Sequence, residues 1–219
     1  MYMKKKIMIF ILIIIIIVII ITFSILYSLN FIPHRKYTND DFNIKTYVSA
    51  VDRDGDGVDD QSDILNSVYS YIATKPKYQS KYYAGGYSSD EYGVCTDVVA
   101  FGLLGAGYDL RELVYQDIKN NRHLYDIEVI DKNIDFRRVR NLLVYFNNNA
   151  ISLTNDISKI EEWQGGDIVI FKKHIGIVSD KRNRHGIPFV IHHANKYQRY
   201  YEEDILEKRN DIVGHFRIS

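Results

Sequence analysis

The stretch from Ile7 to Leu29 carries no charged residue, and its centre, ILIIIIIVIIITF, is aliphatic almost without a break. A helix that is apolar all round has no solvent face, so it belongs in a large core or in lipid. At about 1.5 Å of rise per residue, this one is long enough to cross the roughly 30 Å hydrocarbon layer of a bilayer. Lys4, Lys5 and Lys6 precede it. Basic residues stay on the cytoplasmic side, so the rest of the chain is expected outside the membrane. A cleaved signal peptide has a shorter apolar region and an A-x-A-like exit, which TFSILYSLN does not offer. The expected organisation is a cytoplasmic tail over 1–6, an uncleaved anchor over 7–29, a polar linker over 30–46 and one extracytoplasmic domain over 47–219.

Within that domain the hydrophobic period changes once. Ile64, Leu65, Val68 and Ile72 fall on one face of a helix expected over 60–74, which Pro76 ends. The apolar run after Cys95 reads as a buried helix closed by Gly105 and Gly107. Asp109-Leu-Arg-Glu112 opens another, and Phe136, Val139, Leu143 and Phe146 predict a third over 135–147. After Trp163 come short β-branched runs, GGDIVIF, HIGIVS, IPFVIHHA and DIVGHFRI, bounded by polar turns. Helices followed by strands predict an α+β domain with an antiparallel sheet. The 28 Lys and Arg residues balance 28 Asp and Glu, so there is no basic footprint for nucleic acid.

Asp52, Asp54 and Asp56 alternate, Gly57 follows, and Asp63 closes the segment. This is the spacing of the twelve-residue EF-hand loop, in which alternate carboxylates wrap a hard cation and glycine permits the sharp turn. The expected Ca²⁺ ligands are Asp52, Asp54, Asp56, the Val58 carbonyl, Asp60 and Asp63, in a structural role. Asp at the twelfth position reaches less far than the usual Glu. The alternative is a solvated acidic turn that caps the next helix.

Cys95 is the single cysteine. It cannot form an internal disulfide and is a spare thiol packed as a small hydrophobe, an intermolecular link or a reactive group. It stands where a buried helix starts, and helix N-termini favour thiolate. A nucleophilic cysteine also needs a histidine base and a group to orient it. His174 opens a strand with Gly176 two residues on, and His192 and His193 end the next strand. Alternation sends those two to opposite faces, so only one can reach His174.

The order of these residues resembles the NlpC-type cysteine peptidases, papain-like enzymes of the bacterial cell wall. It is closer still to an uncharacterised bacterial domain family placed in that superfamily, through GVCTDVV (93–99), NIDFRRV (133–139), GDIV (166–169), HIGIVSD (174–180) and GHFR (214–217). The resemblance implies a papain-like domain with Cys95 as nucleophile, His174 as base and His192 as third residue, His193 being the alternative. Attack on an amide carbonyl would place the oxyanion at the Cys95 N–H and a second donor, for which Tyr87 or Tyr92 is a candidate. Together with the topology, it implies a membrane-anchored cysteine amidase or endopeptidase acting on peptidoglycan stem peptides, with no organic cofactor. The competing expectations are an acyltransferase using the same thioester, a calcium-stabilised surface binding module with an inactive cysteine, and a zinc site of Cys95, His174 and His192, which lacks a short ligand pair.

Overall fold

The computed structural model describes residues 2–218, and the chain forms two compact units, one ending at Arg35 and one beginning at Lys36. The first is built on helix α1 (Tyr2–Ser28), whose aliphatic side chains face outward. This helix is long and apolar enough to span a membrane or to act as a signal sequence.

The second unit begins earlier than the sequence pattern suggested. Tyr37 exchanges backbone hydrogen bonds with Arg182 at 2.9 and 2.8 Å. The buried Arg182 guanidinium donates to the carbonyls of Ile160, Gly186 and Trp163 and to the Asn39 side chain. The stretch read as linker therefore ends at Arg35, because residues 36–46 supply partners that a buried arginine requires.

The domain is α+β. Helices α2 (Asp60–Ala73), α3 (Cys95–Gly105), α4 (Leu110–Asn120) and α5 (Val139–Asn149) precede most of the strands. These are β3 (Ile151–Ser152), β4 (Ile168–Phe171), β5 (His174–Arg182), β6 (Pro188–Ile191), β7 (Glu202–Glu203) and β8 (Ile212–Arg217), arranged antiparallel in the order β3-β8-β4-β5-β6-β7. A short parallel pair, β1 (Lys77–Tyr78) and β2 (Tyr92–Gly93), lies just ahead of α3. Asp59 and Asp109 cap α2 and α4 by accepting from Ser62 N–H and Glu112 N–H. The helix expected over 135–147 is split. Asp135–Arg137 is a 3₁₀ turn and Arg138 is extended. The Asp135 carboxylate accepts from Asp131 N–H, and Asn141 binds the Asp135 carbonyl, which satisfies this turn locally instead of through a longer helix.

Both faces of the sheet are covered. Ile168, Ile170, Ile175, Ile177 and Ile191 meet the helices, while Val169, Phe171, Val178 and Val190 meet Trp163 and Leu206. Strands buried on both faces read as unbroken apolar runs, which is why IVIF and HIGIV stand out in the sequence. Helix α3 packs between β5 and α2. At Gly102 a Cβ would lie 2.4 Å from Val68 Cγ2, and at Gly105 1.9 Å from Ser67 Oγ, so two glycines set the α2–α3 approach.

Candidate active site

Cys95 is the first residue of α3, preceded by extended Val94. Valine has no side-chain acceptor, so the helix start is capped from within, by Asp97 accepting from Val94 N–H at 2.8 Å. The same carboxylate takes a two-pronged ion pair from Arg137, at 2.9 and 2.7 Å. Arg137 also donates to the Lys81 carbonyl and lies over the Tyr83 ring. All of this is buried. Arg137 of NIDFRRV is thus a clamp on the N-terminal turn of α3.

Helix α3 packs against β5, and the backbone N–H groups of Ile175, Thr96 and Cys95 itself act to lower the thiol's pKa. Burial nevertheless pushes the thiol up to about 11, because the cost of an anion there exceeds what those N–H groups return.

His174 pairs with Phe171 at the start of β5. Its Nε2 lies 3.0 Å from Nδ1 of His192, with the two rings nearly perpendicular. His192 follows the last residue of β6, and its N–H is held by the Tyr201 carbonyl at 2.7 Å. Gly176 permits the approach: a Cβ there would lie 2.6 Å from Val190 Cγ1, 2.8 Å from the Ile191 carbonyl and 3.2 Å from His192 Cβ. His193 points the other way. Its ring meets the edges of Tyr78 and Tyr201, and its Nδ1 has no hydrogen bond. Of the two candidates, His192 is the one that reaches His174.

Beyond His192 stands Glu203 of β7, with Oε2 3.3 Å from His192 Nε2, close enough for charge although not in hydrogen-bond geometry. A carboxylate on that side favours a proton on His192 Nε2, which leaves Nδ1 to accept from His174 Nε2–H. We assign both rings to the Nε2–H form on this arrangement. The lone pair of His174 is then on Nδ1.

The histidines are neutral at rest. Burial, then His192 and Arg209, pull His174 down to about 3; burial and Arg209 pull His192 down to about 3; burial and His192 pull His193 down to about 4. Arg209 stands over Phe171, whose ring stacks toward His174. Desolvation opposes both the thiolate that a helix N-terminus favours and an imidazolium at His174.

Other expected residues fall elsewhere. The Tyr87 hydroxyl is engaged by Asp109 at 2.8 Å, and the Tyr92 ring lies under the Lys81 ammonium. The metal-ligating atoms of Asp52, Asp54 and Asp56 converge within 4.8 Å, the one such group among the described residues; Cys95, His174 and His192 do not form another. Asp60 faces inward, to Arg53 N–H at 2.8 Å and to the Tyr108 hydroxyl. The GDIV and GHFR motifs meet far from Cys95, at the opposite end of β4. Buried Asp167 accepts from Arg217 at 2.7 and 2.8 Å, from Gln61 and from Gln164 N–H, and lies 3.1 Å from His215, which stacks on Trp163. Trp163 is therefore core, and these two motifs close the sheet onto α2.

A family profile described as "Domain of unknown function (DUF1287)" matches residues 65–218. The chain is 38% identical over 152 residues to the "Uncharacterized protein YijF" of Escherichia coli (strain K12), across 65% of this chain and 72% of that protein. No solved structure matches.

Proposed function

The chain belongs to the DUF1287 family, and from its own residues we propose that it is a membrane-anchored cysteine hydrolase that cleaves amide bonds in peptidoglycan stem peptides. The observation that carries the reading is the hydrogen bond between His174 and His192 at the start of β5, the strand against which α3, opened by Cys95, packs. A nucleophile, a base with a free nitrogen and an orienting group then stand in order. The papain-like placement rests on the same order of Cys, His and His and on the five motifs they sit in.

In the proposed reaction the Cys95 proton passes to His174 Nδ1 as the thiolate attacks the amide carbonyl. The Cys95 and Thr96 N–H groups at the α3 N-terminus face the developing oxyanion. The imidazolium gives its proton to the leaving amine, and water hydrolyses the thioester with His174 again as base. The domain would lie outside the cytoplasm of a bacterial cell, since Lys4–Lys6 precede an apolar α1. That position faces the wall and its peptides.

The test is mass spectrometry of purified wall fragments incubated with the detergent-solubilised full chain and with Cys95→Ser, His174→Ala and His192→Ala. The expected result is new amine and carboxylate ends with the wild type, none with the first two variants and fewer with the third. A trapped acyl group on Cys95 that passes to an added amine instead of water would identify a transferase. Cleavage that persists in Cys95→Ser, or no acylation of Cys95 by any wall peptide, overturns the proposal.

A further inference from the structure

His192 uses one ring nitrogen on His174, at 3.0 Å, while its Nε2 is fully buried and makes no hydrogen bond. The nearest complement to that nitrogen is the Glu203 carboxylate, with Oε2 at 3.3 Å and a side chain only 13% exposed. A buried ring N–H and a largely buried carboxylate are each costly alone and compatible together.

The fold brings Glu203 to this place by a specific arrangement. Strand β7 pairs Glu203 with Val190 and Glu202 with Ile191. Paired residues share a face and successive residues alternate, so Glu203 falls on the Val190 side of the sheet. His192 turns to that same side, since a Cβ on Gly176 would meet both Val190 Cγ1 and His192 Cβ. Glu202 takes the other face and is gripped there: the Tyr69 hydroxyl donates to it at 2.7 Å, and Ser179 and Lys36 bind it as well. The loop between β6 and β7 is braced by Gln198, whose Nε2 donates to the His192 carbonyl at 3.0 Å and the Tyr200 carbonyl at 2.8 Å, and whose Oε1 accepts from Ala194 N–H at 2.5 Å. A strand of two residues, anchored through Glu202 and this brace, holds Glu203 against His192. Arg209, the cation that opposes a positive charge on these rings, is itself paired with Asp211 at 2.6 and 2.7 Å.

Resting on the assignment of Cys95 as nucleophile and His174 as base, we propose that Glu203 is a positioning residue of this site. Its carboxylate fixes the His192 proton on Nε2, and His192, accepting through Nδ1, fixes the His174 proton on Nε2. When His174 takes the thiol proton on Nδ1, the imidazolium donates to His192 and His192 donates to Glu203. The positive ring draws the carboxylate in and closes the 3.3 Å contact to a hydrogen bond. No proton leaves the row, and Glu203 stays ionised. Glu203 acts through His192, one ring removed from His174.

The experiment compares the full chain in detergent as wild type, Glu203→Gln, Glu203→Asp, His192→Ala and the double variant His192→Ala with Glu203→Gln. Two readouts are taken: turnover of purified wall fragments, and nitrogen NMR of the histidine rings. Glu203→Gln is expected to lower kcat about ten- to a hundredfold with KM little changed, and with an unfolding midpoint close to wild type. Glu203→Asp, which keeps the charge on that side, retains more of the rate. In the His192→Ala background Glu203→Gln costs nothing further. In the spectra Glu203→Gln shifts the tautomer balance of His174 as well as of His192. An unmoved His174 tautomer, full turnover in Glu203→Gln, or an equal loss in the His192→Ala background would overturn the proposal. A wild type that cleaves no wall fragment while the His174 tautomer still follows Glu203 would remove the amidase reading and leave the hold of Glu203 on the rings standing.

Discussion

Replacing Arg137 by Met tests how the N-terminal turn of α3 is held. The guanidinium faces Asp97, which is fully buried, and no other cation among the described residues pairs with it. Removing one partner of a buried pair leaves the other charge uncompensated, a loss of about 3–5 kcal/mol. Set against a total stability of about 5–15 kcal/mol, that is a large fraction, and it corresponds to a fall of roughly 6–20 °C in the unfolding midpoint for a domain of this size. Methionine keeps most of the stem, so the loss reports charge more than volume.

The pH dependence carries the argument further. Burial already holds the Asp97 carboxyl above its usual range, with Arg137 opposing. Without Arg137 it rises further. For an acid whose folded value lies above its unfolded one, the folded state is penalised at high pH and relieved as pH falls through the folded value. The deficit of Arg137→Met relative to wild type should therefore be largest near neutral pH and shrink toward about pH 4–5. Asp97→Asn combined with Arg137→Met should recover stability relative to Arg137→Met alone, because no charge is left stranded. Urea unfolding from pH 7 down to about pH 4.5 reads all three. A loss below about 1 kcal/mol, or a loss independent of pH, would refute the clamp.

Two more outcomes are expected at the site. Gly176→Ala should cost about 1–3 kcal/mol by overpacking and push His192 off His174, seen as loss of acylation at Cys95 in protein that remains folded; full acylation would show that the His174–His192 contact is dispensable. Nitrogen NMR of the two rings should find both in the Nε2–H form, and Glu203→Gln should mix the tautomers; His174 in the Nδ1–H form in wild type would remove its role as base.

The residues of the candidate site were legible in the sequence wherever one residue sits at an element boundary. Cys95 opens an apolar run, and His174 precedes a β-branched run with Gly176 two residues on; both patterns are local. Glu203 was invisible because it lies on a two-residue strand, too short for any period, and is brought to His192 only by pairing with β6. Tyr37 was invisible for the same reason, since its partner Arg182 is far away in the chain. The histidine of GHFR carried a motif but no role, because its meaning is a contact with Asp167, just ahead of β4. The N–H groups at the start of α3 were legible from the place of Cys95 in the chain, but the desolvation that opposes a thiolate there comes from elements packed against it from elsewhere in the chain.

That burial decides how the proposed enzyme would work. A thiol at about 11 beside an imidazole at about 3 does not exchange its proton at rest. A thiolate–imidazolium pair at ~4 Å recovers about 4 kcal/mol at an effective dielectric of ~20, or roughly three pKa units, which is less than the gap. The nucleophile must then be made during the reaction, when a bound carbonyl accepts charge and the N–H groups at the α3 start gain an oxyanion to bind. A general thiol reagent brings no such oxyanion, so it should label the resting protein slowly at neutral pH, while a fitting peptide acylates it. Rapid labelling of Cys95 near neutral pH, lost in His174→Ala, would mean instead that the ion pair exists before substrate and that the site opens to water more readily than its packing implies.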